Sequence, residues 1–294
     1  MLFLKVLEIV FPVFFLGSLG FFWIKFGWDY PVKFVTRLAT AVAVPSLVFV
    51  SLMNTQIDHK DLVLISSATF VTYFILMFTF WLSIKFRKIN RRTFLAPLTF
   101  GNTGNIGLPI AYFAFGEVGL GYAVIIFAIT AILSFSLGIW FVSGGKTSYK
   151  SLRNEPLVIS TVLGSLFLAF GWSTPLFLTA TLELIAQMAI PLMLITLGVA
   201  VSSLKSNDIQ AAFGFSIFKL FTCLLVGLLV GNYFSLNQVS FSVLLLQIST
   251  PVAVTSYLLA SKYEADAQTV AGLVIVSTVL SLVSIPTILL FILA

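Results

Sequence analysis

Thr99-Phe100-Gly101-Asn102-Thr103-Gly104-Asn105-Ile106-Gly107-Leu108-Pro109-Ile110 lies inside a long apolar stretch, yet it is full of residues that a helix interior avoids. In a helix, glycine costs about 1 kcal/mol against alanine and proline about 3 kcal/mol. Three glycines at three-residue spacing, two asparagines and a proline therefore predict an interrupted helix. Working outward, the surroundings decide what kind of interruption it is. The chain has 294 residues, 60% hydrophobic and only 9% charged, and a mean hydropathy of +1.12. A soluble domain carries about 25% charged residues and cannot hide so much apolar surface, so the solvent is lipid. Irregular backbone at membrane depth survives only where protein or a water-filled cavity satisfies its free N–H and C=O groups. A break there creates a half-helix N-terminus that favours anions, with Asn102 and Asn105 beside it as adaptable donors and acceptors.

Polar punctuation divides the sequence into ten apolar runs. They span about 2–24, 31–54, 62–84, 93–115 and 118–142, then 155–171, 176–201, 209–232, 239–260 and 267–293. The first apolar stretch contains Glu8 and no small-residue cleavage site, which reads as a retained span rather than a signal peptide. The two sets resemble each other. Val44-Pro45-Ser46-Leu47 and Ile190-Pro191-Leu192-Met193 are 146 residues apart, and Ile132-Leu133-Ser134-Phe135 and Val279-Leu280-Ser281-Leu282 are 147 apart. Shared order and spacing predict a duplicated five-span unit, which an odd span count inserts upside down. The expected fold is an all-α polytopic membrane protein. Residues 1–143 form the first repeat, 144–154 a short cytoplasmic link, and 155–294 the second, inverted repeat. The same offset carries Asn102, Thr103 and Gly104 onto Ser249, Thr250 and Pro251 in run nine, within Gln247-Ile248-Ser249-Thr250-Pro251. Two interrupted spans at equivalent places point to a transporter's midplane site.

Thirteen Lys and Arg residues lie in or beside the odd-numbered links and only Lys5 and Lys60 lie opposite, which puts both termini on the non-cytoplasmic side of a plasma membrane. The basic residues are scattered over short links, so the net charge of +6 signals topology and not nucleic acid. One histidine, His59, and one cysteine, Cys223, exclude a His/Cys metal site and an intrachain disulfide. No nucleophile–base pair or Walker motif stands out, which argues against an intramembrane enzyme and an ATP-driven pump. No cofactor is expected.

Lys219 is the ionisable residue nearest the bilayer centre, about 16 Å into run eight at 1.5 Å per residue. A lysine there costs about 2.5 to 3.5 kcal/mol to insert, so it serves an anionic substrate or a coupling site, or it is paired or snorkelling. Ser134, Ser277, Thr278 and Ser281 are polar candidates for the lining, although membrane hydroxyls commonly bond to the preceding turn. Glu8 and Glu183 lie nearer span ends and stay outside the candidate site.

The segments Gly101-Asn102-Thr103-Gly104-Asn105-Ile106-Gly107-Leu108-Pro109, 250–263 and Ser277-Thr278-Val279-Leu280-Ser281 resemble the auxin efflux carrier family. That family includes plant PIN carriers and bacterial malate or malonate permeases. The resemblance implies inverted five-span repeats whose broken spans four and nine cross, a scaffold of spans one, two, six and seven, and a mobile unit of spans three to five and eight to ten. It implies elevator-type transport of a small organic anion, a mono- or dicarboxylate or an auxin-like acid, and a homodimer through the scaffold. The short central link departs from the long loop of plant plasma-membrane members and fits a bacterial inner-membrane carrier. The sequence leaves open the anion, the coupling ion (H⁺ or Na⁺), the direction of transport, and an alternative exporter of neutral or zwitterionic metabolites. A sensor is a more distant reading.

Overall fold

The computed structural model describes residues 2–145, 155–205 and 209–294. Lys146, Lys150 and Arg153 of the central link, and Asp208 at the expected start of run eight, lie outside the described residues. The described chain is helical, in the order α1 (Leu2–Lys25), α2 (Val32–Met53), α3 (His59–Arg87), α4 (Arg91–Thr99), α5 (Thr103–Val142) and α6 (Pro156–Phe170). There follow α7 (Leu176–Ser203), α8 (Ile209–Tyr233), α9 (Gln238–Ile248), α10 (Val254–Lys262) and α11 (Ala267–Leu293). Among the described residues the β-type pairing is confined to one antiparallel bridge, Gly101 with Val252.

Seven of these helices, α1, α2, α3, α5, α7, α8 and α11, are long and apolar enough to cross a bilayer. The other runs fall short for identifiable reasons. Runs four and five share α5, a 40-residue segment that turns at Gly116, whose φ of 61° and ψ of −150° only glycine adopts readily. Run six is the 15-residue α6. Run nine is split into α9 and α10 by residues 249–253.

Proline shapes the longer helices. A proline inside a helix lacks one N–H and clashes with the carbonyl four residues back. Pro45 and Pro109 each follow a π-helical turn, Ala39–Ala43 and Thr103–Gly107, in which the wider winding relieves that clash. Pro191 stands just beyond the break between Leu176–Ala186 and Ala189–Ser203 in α7. The prolines paired by the repeat offset thus both follow an irregularity.

Packing relies on small residues, because lipid supplies no hydrophobic drive between helices. α1 lies on the second half of α7 so closely that a Cβ built on Gly198 would overlap the Gly17 carbonyl oxygen, and one on Gly20 would overlap the Ile195 carbonyl oxygen. Only a narrow stripe of α1, Val6, Ile9, Val10, Val13 and Gly20, is buried. Phe3, Leu7, Phe11 and Phe15 are exposed, the arrangement expected of a helix with one face in lipid. Glu8 is exposed on the same helix. α2 packs against α6 and the first half of α7. The densest part of the core surrounds α9 and the stretch of α5 after Gly116, where Val243, Leu244, Ala123, Val124 and Ile126 are fully enclosed together with Leu76 and Phe80 of α3.

Candidate functional site

The two interruptions meet. α4 ends at Thr99, residues 100–102 run non-helically, and α5 starts at Thr103. α9 ends at Ile248, residues 249–253 run non-helically, and α10 starts at Val254. The broken segments pass each other antiparallel, with the Asn102 amide donating to the Pro251 carbonyl at 2.7 Å. The Val252 amide donates to Ser277 Oγ of α11 at 2.9 Å, so three segments are tied at one point. Gly101 is required there: a Cβ would overlap Thr250 Oγ1 and come within 3.0 Å of the Thr250 carbonyl oxygen. Gly107 makes room for a side chain from the other half, because its Cβ would overlap Gln247 Oε1. Gly104 faces Phe127 and Met193.

Asn102 performs two tasks with one side chain. Its Oδ1 accepts from the Asn105 amide at 3.2 Å and caps α5. The Asn102 backbone carbonyl accepts from the amides of Ile106 and Gly107, both at 3.2 Å, closing the wide first turn. Asn102 Nδ2 is buried and has no partner among the described residues. A buried donor left unpaired costs about 1–3 kcal/mol, which a ligand acceptor can recover. Ser249 Oγ and Gln247 Oε1 are likewise buried and unpartnered. Gln247 Nε2 donates to the Ala123 carbonyl at 3.4 Å, and Thr250 Oγ1 to the Gln247 carbonyl at 2.7 Å. The N-termini of α5 and α10 both begin at this crossing. Each carries roughly half a positive charge from its peptide dipoles, and together they favour an anion.

The other expected residues fall into four groups. Lys219 is the eleventh residue of α8, only 3% exposed, and it shares a cavity of about 20 Å³ with Ser249, Thr250, Pro251 and Ser277. Asn102, Thr103, Gly104 and Asn105 do not line that cavity. Pro109 is buried in the first turns of α5 and shapes backbone. Ser134 sits in the π-helical turn Ser134–Gly138 and lines neither that cavity nor the large one described next. The hydroxyls of Ser277 and Ser281 donate to the carbonyls of Leu273 and Thr278, both at 2.6 Å, while Thr278 Oγ1 is buried without a partner.

Sequence reasoning missed two features. Ser216 and Ser284 complete the Lys219 cavity. Ser216 was legible, since it stands three residues before Lys219 on one helix face. Ser284 was not, because nothing in the spacing says which face of α11 meets α8. The second is a vestibule of about 810 Å³ between α2 and α7 on one side and α5 on the other, lined by Leu47, Asn54, Tyr112, Tyr122, Glu183 and Pro191 among others. At its rim Asp61 accepts from Asn237 Nδ2 at 2.7 Å and from the Tyr122 hydroxyl at 3.2 Å. Glu183 accepts from Asn54 Nδ2 at 3.3 Å.

Comparison with known proteins fits this arrangement. The chain is 25% identical to an "Uncharacterized transporter" of Methanocaldococcus jannaschii, over 95% of this chain and 96% of that one. It is 29% identical to another of Methanothermobacter thermautotrophicus, over 86% of each chain. It is 23% identical to a Rhizobium meliloti protein whose name reads "Putative malonate transporter", over 96% of this chain and 94% of the relative. Residues 5–153 and 140–289 match the family described as "Membrane transport protein", which covers nearly the whole length. A helical chain with lipid-facing apolar helices and two broken segments crossing in its interior is therefore a membrane transporter, and it belongs to the membrane transport protein family of the auxin efflux carriers.

Proposed function

We propose that this transporter is a secondary carrier that moves a small organic anion by alternating access, with the anion bound at the crossing of the two broken segments. The observation that carries the proposal is that two half-helix N-termini begin at the crossing beside a buried amide donor, Asn102 Nδ2, that lacks a partner among the described residues. Such a site offers donors and positive dipole ends without a fixed acid, which suits a carboxylate that must bind and leave. In this reading the fourth crossing consists of α4 and the part of α5 before Gly116. The part after Gly116 is the fifth and α9 with α10 the ninth, giving ten crossings in two inverted sets of five. α1, α2, α6 and α7 act as the scaffold and the remaining helices as an elevator-type moving unit. The close seating of α1 on α7 and of α2 on α6 supports a rigid scaffold. The vestibule between α2, α7 and α5 supports an interface along which the units slide.

The name of the Rhizobium meliloti relative makes malonate the first substrate to test. In proteoliposomes loaded with malonate, external radiolabelled malonate is expected to accumulate by counterflow. Unlabelled short mono- and dicarboxylates should compete, and malonamide or zwitterionic amino acids should not. Competition by neutral or zwitterionic compounds alone would favour an exporter of such metabolites instead.

A further inference from the structure

Behind the crossing lies a buried charge that the amide site does not use. Among the described residues Lys219 Nζ donates only to Cys223 Sγ, at 3.8 Å, a weak acceptor one turn along α8. The cavity beside it is lined by hydroxyl, thiol, apolar and backbone groups of α8, α9 and α11 and of residues 249–251, with no carboxylate among them. The hydroxyls of Ser216 and Ser249, both more than nine-tenths buried, have no partner among the described residues. Ser249 is the C-cap of α9, so the cavity lies at the end of a half-helix whose last carbonyls carry the negative pole of its dipole. A lone ammonium in such a place would be strongly unfavourable without that pole and those oxygens. Its volume of about 20 Å³ holds one water molecule that can complete the ammonium's hydrogen bonds.

We propose that the Lys219 ammonium is a built-in cation, standing at the C-terminal end of a broken helix where ion-coupled carriers place Na⁺, so that this carrier needs no Na⁺. The proposal rests on the carrier reading above, but its chemistry is separate from the anion site. A metal ion entering the same space would meet a like charge, whereas removing the ammonium takes the positive charge away from the end of α9 and from beside the Ser216 and Ser249 hydroxyls. The site then becomes a vacancy shaped for a small monovalent cation.

The test uses the full-length protein in detergent, with melting temperature as a substrate-free readout. Wild type is expected to melt at the same temperature in sodium, potassium and choline chlorides of equal ionic strength, and in sodium gluconate. Lys219→Ala should melt lower in choline, and ammonium or methylammonium should restore at least half of the loss saturably, while bulky tetramethylammonium should not. Sodium dependence of wild-type stability or of malonate counterflow would overturn the proposal. A chloride requirement would also overturn it, because the cavity would then be an anion site, and so would an alanine variant indifferent to small amines. Should that variant not fold, the wild-type ion series decides alone. Because the amine rescue needs no substrate, failure of malonate to bind would defeat the proposed function and leave this result standing.

Discussion

A Gly198→Leu carrier is expected to be lost from the folded fraction almost entirely. The position faces backbone: a Cβ there would overlap the Gly17 carbonyl oxygen and lie 2.7 Å from the Phe21 nitrogen. No rotamer change relieves a clash with main chain, so α1 would have to separate from α7 over the full contact. Overpacking a well-fitted core costs about 1–3 kcal/mol even where neighbouring side chains can shift. Here they cannot, and membrane helices depend on this close approach for their association. Gly17→Ala is the control, because a Cβ on Gly17 meets nothing within 4 Å. Size-exclusion profiles and melting curves of the two variants should separate sharply, with Gly17→Ala like wild type. A monodisperse Gly198→Leu protein with wild-type melting would show that the α1–α7 contact is dispensable.

Asn102→Ala is expected to weaken malonate binding about ten- to a hundredfold, the effect of losing one hydrogen bond to a charged ligand of about 1.5–3 kcal/mol. The same change removes the cap on α5, which costs about 1 kcal/mol of stability. Asn102→Asp separates the two roles, since a carboxylate still accepts from the Asn105 amide but offers no donor and adds a negative charge. The aspartate variant should therefore keep the cap on α5 and bind malonate at least as poorly as the alanine variant. Calorimetric titration and yield, compared across the pair, check both parts. Wild-type affinity in the aspartate variant would exclude the amide as an anion ligand.

What the sequence reveals depends on how local the cause is. The interruption in run four was legible because glycine, asparagine and proline act on their own backbone, and the repeat offset located its counterpart in run nine. The extent of the break was less legible. The glycines and Pro109 pointed to an interruption without fixing its bounds; only residues 100–102 leave helix, and a π-helical turn precedes Pro109. Gly101 and Gly107 are there for contacts with Thr250 and Gln247, some 140 to 150 residues away, and no local rule names those partners. Hydropathy registered ten apolar runs but could not tell a continuous span from a broken one, which is why only seven helices reach spanning length. Lys219 stood out by its charge alone. That its cavity excludes Asn102 and Asn105 follows from how α8 docks on α9 and α11, which is tertiary information. The vestibule was invisible for the same reason, since it is assembled from links and span ends far apart in sequence.

The central claim, an anion bound at the crossing, is tested most directly by ligand protection of a cysteine placed there. In a Cys223→Ser background, Asn105→Cys puts the only thiol in the first turn of α5, at a partly exposed position beside Asn102, whose Nδ2 has no partner among the described residues. Its reaction with a small methanethiosulfonate reagent, followed by mass spectrometry, should slow progressively with malonate and saturate over the range in which malonate drives counterflow, while malonamide leaves the rate unchanged. A labelling rate indifferent to malonate throughout that range, in protein that still performs counterflow, would contradict the account and move the anion site away from the crossing.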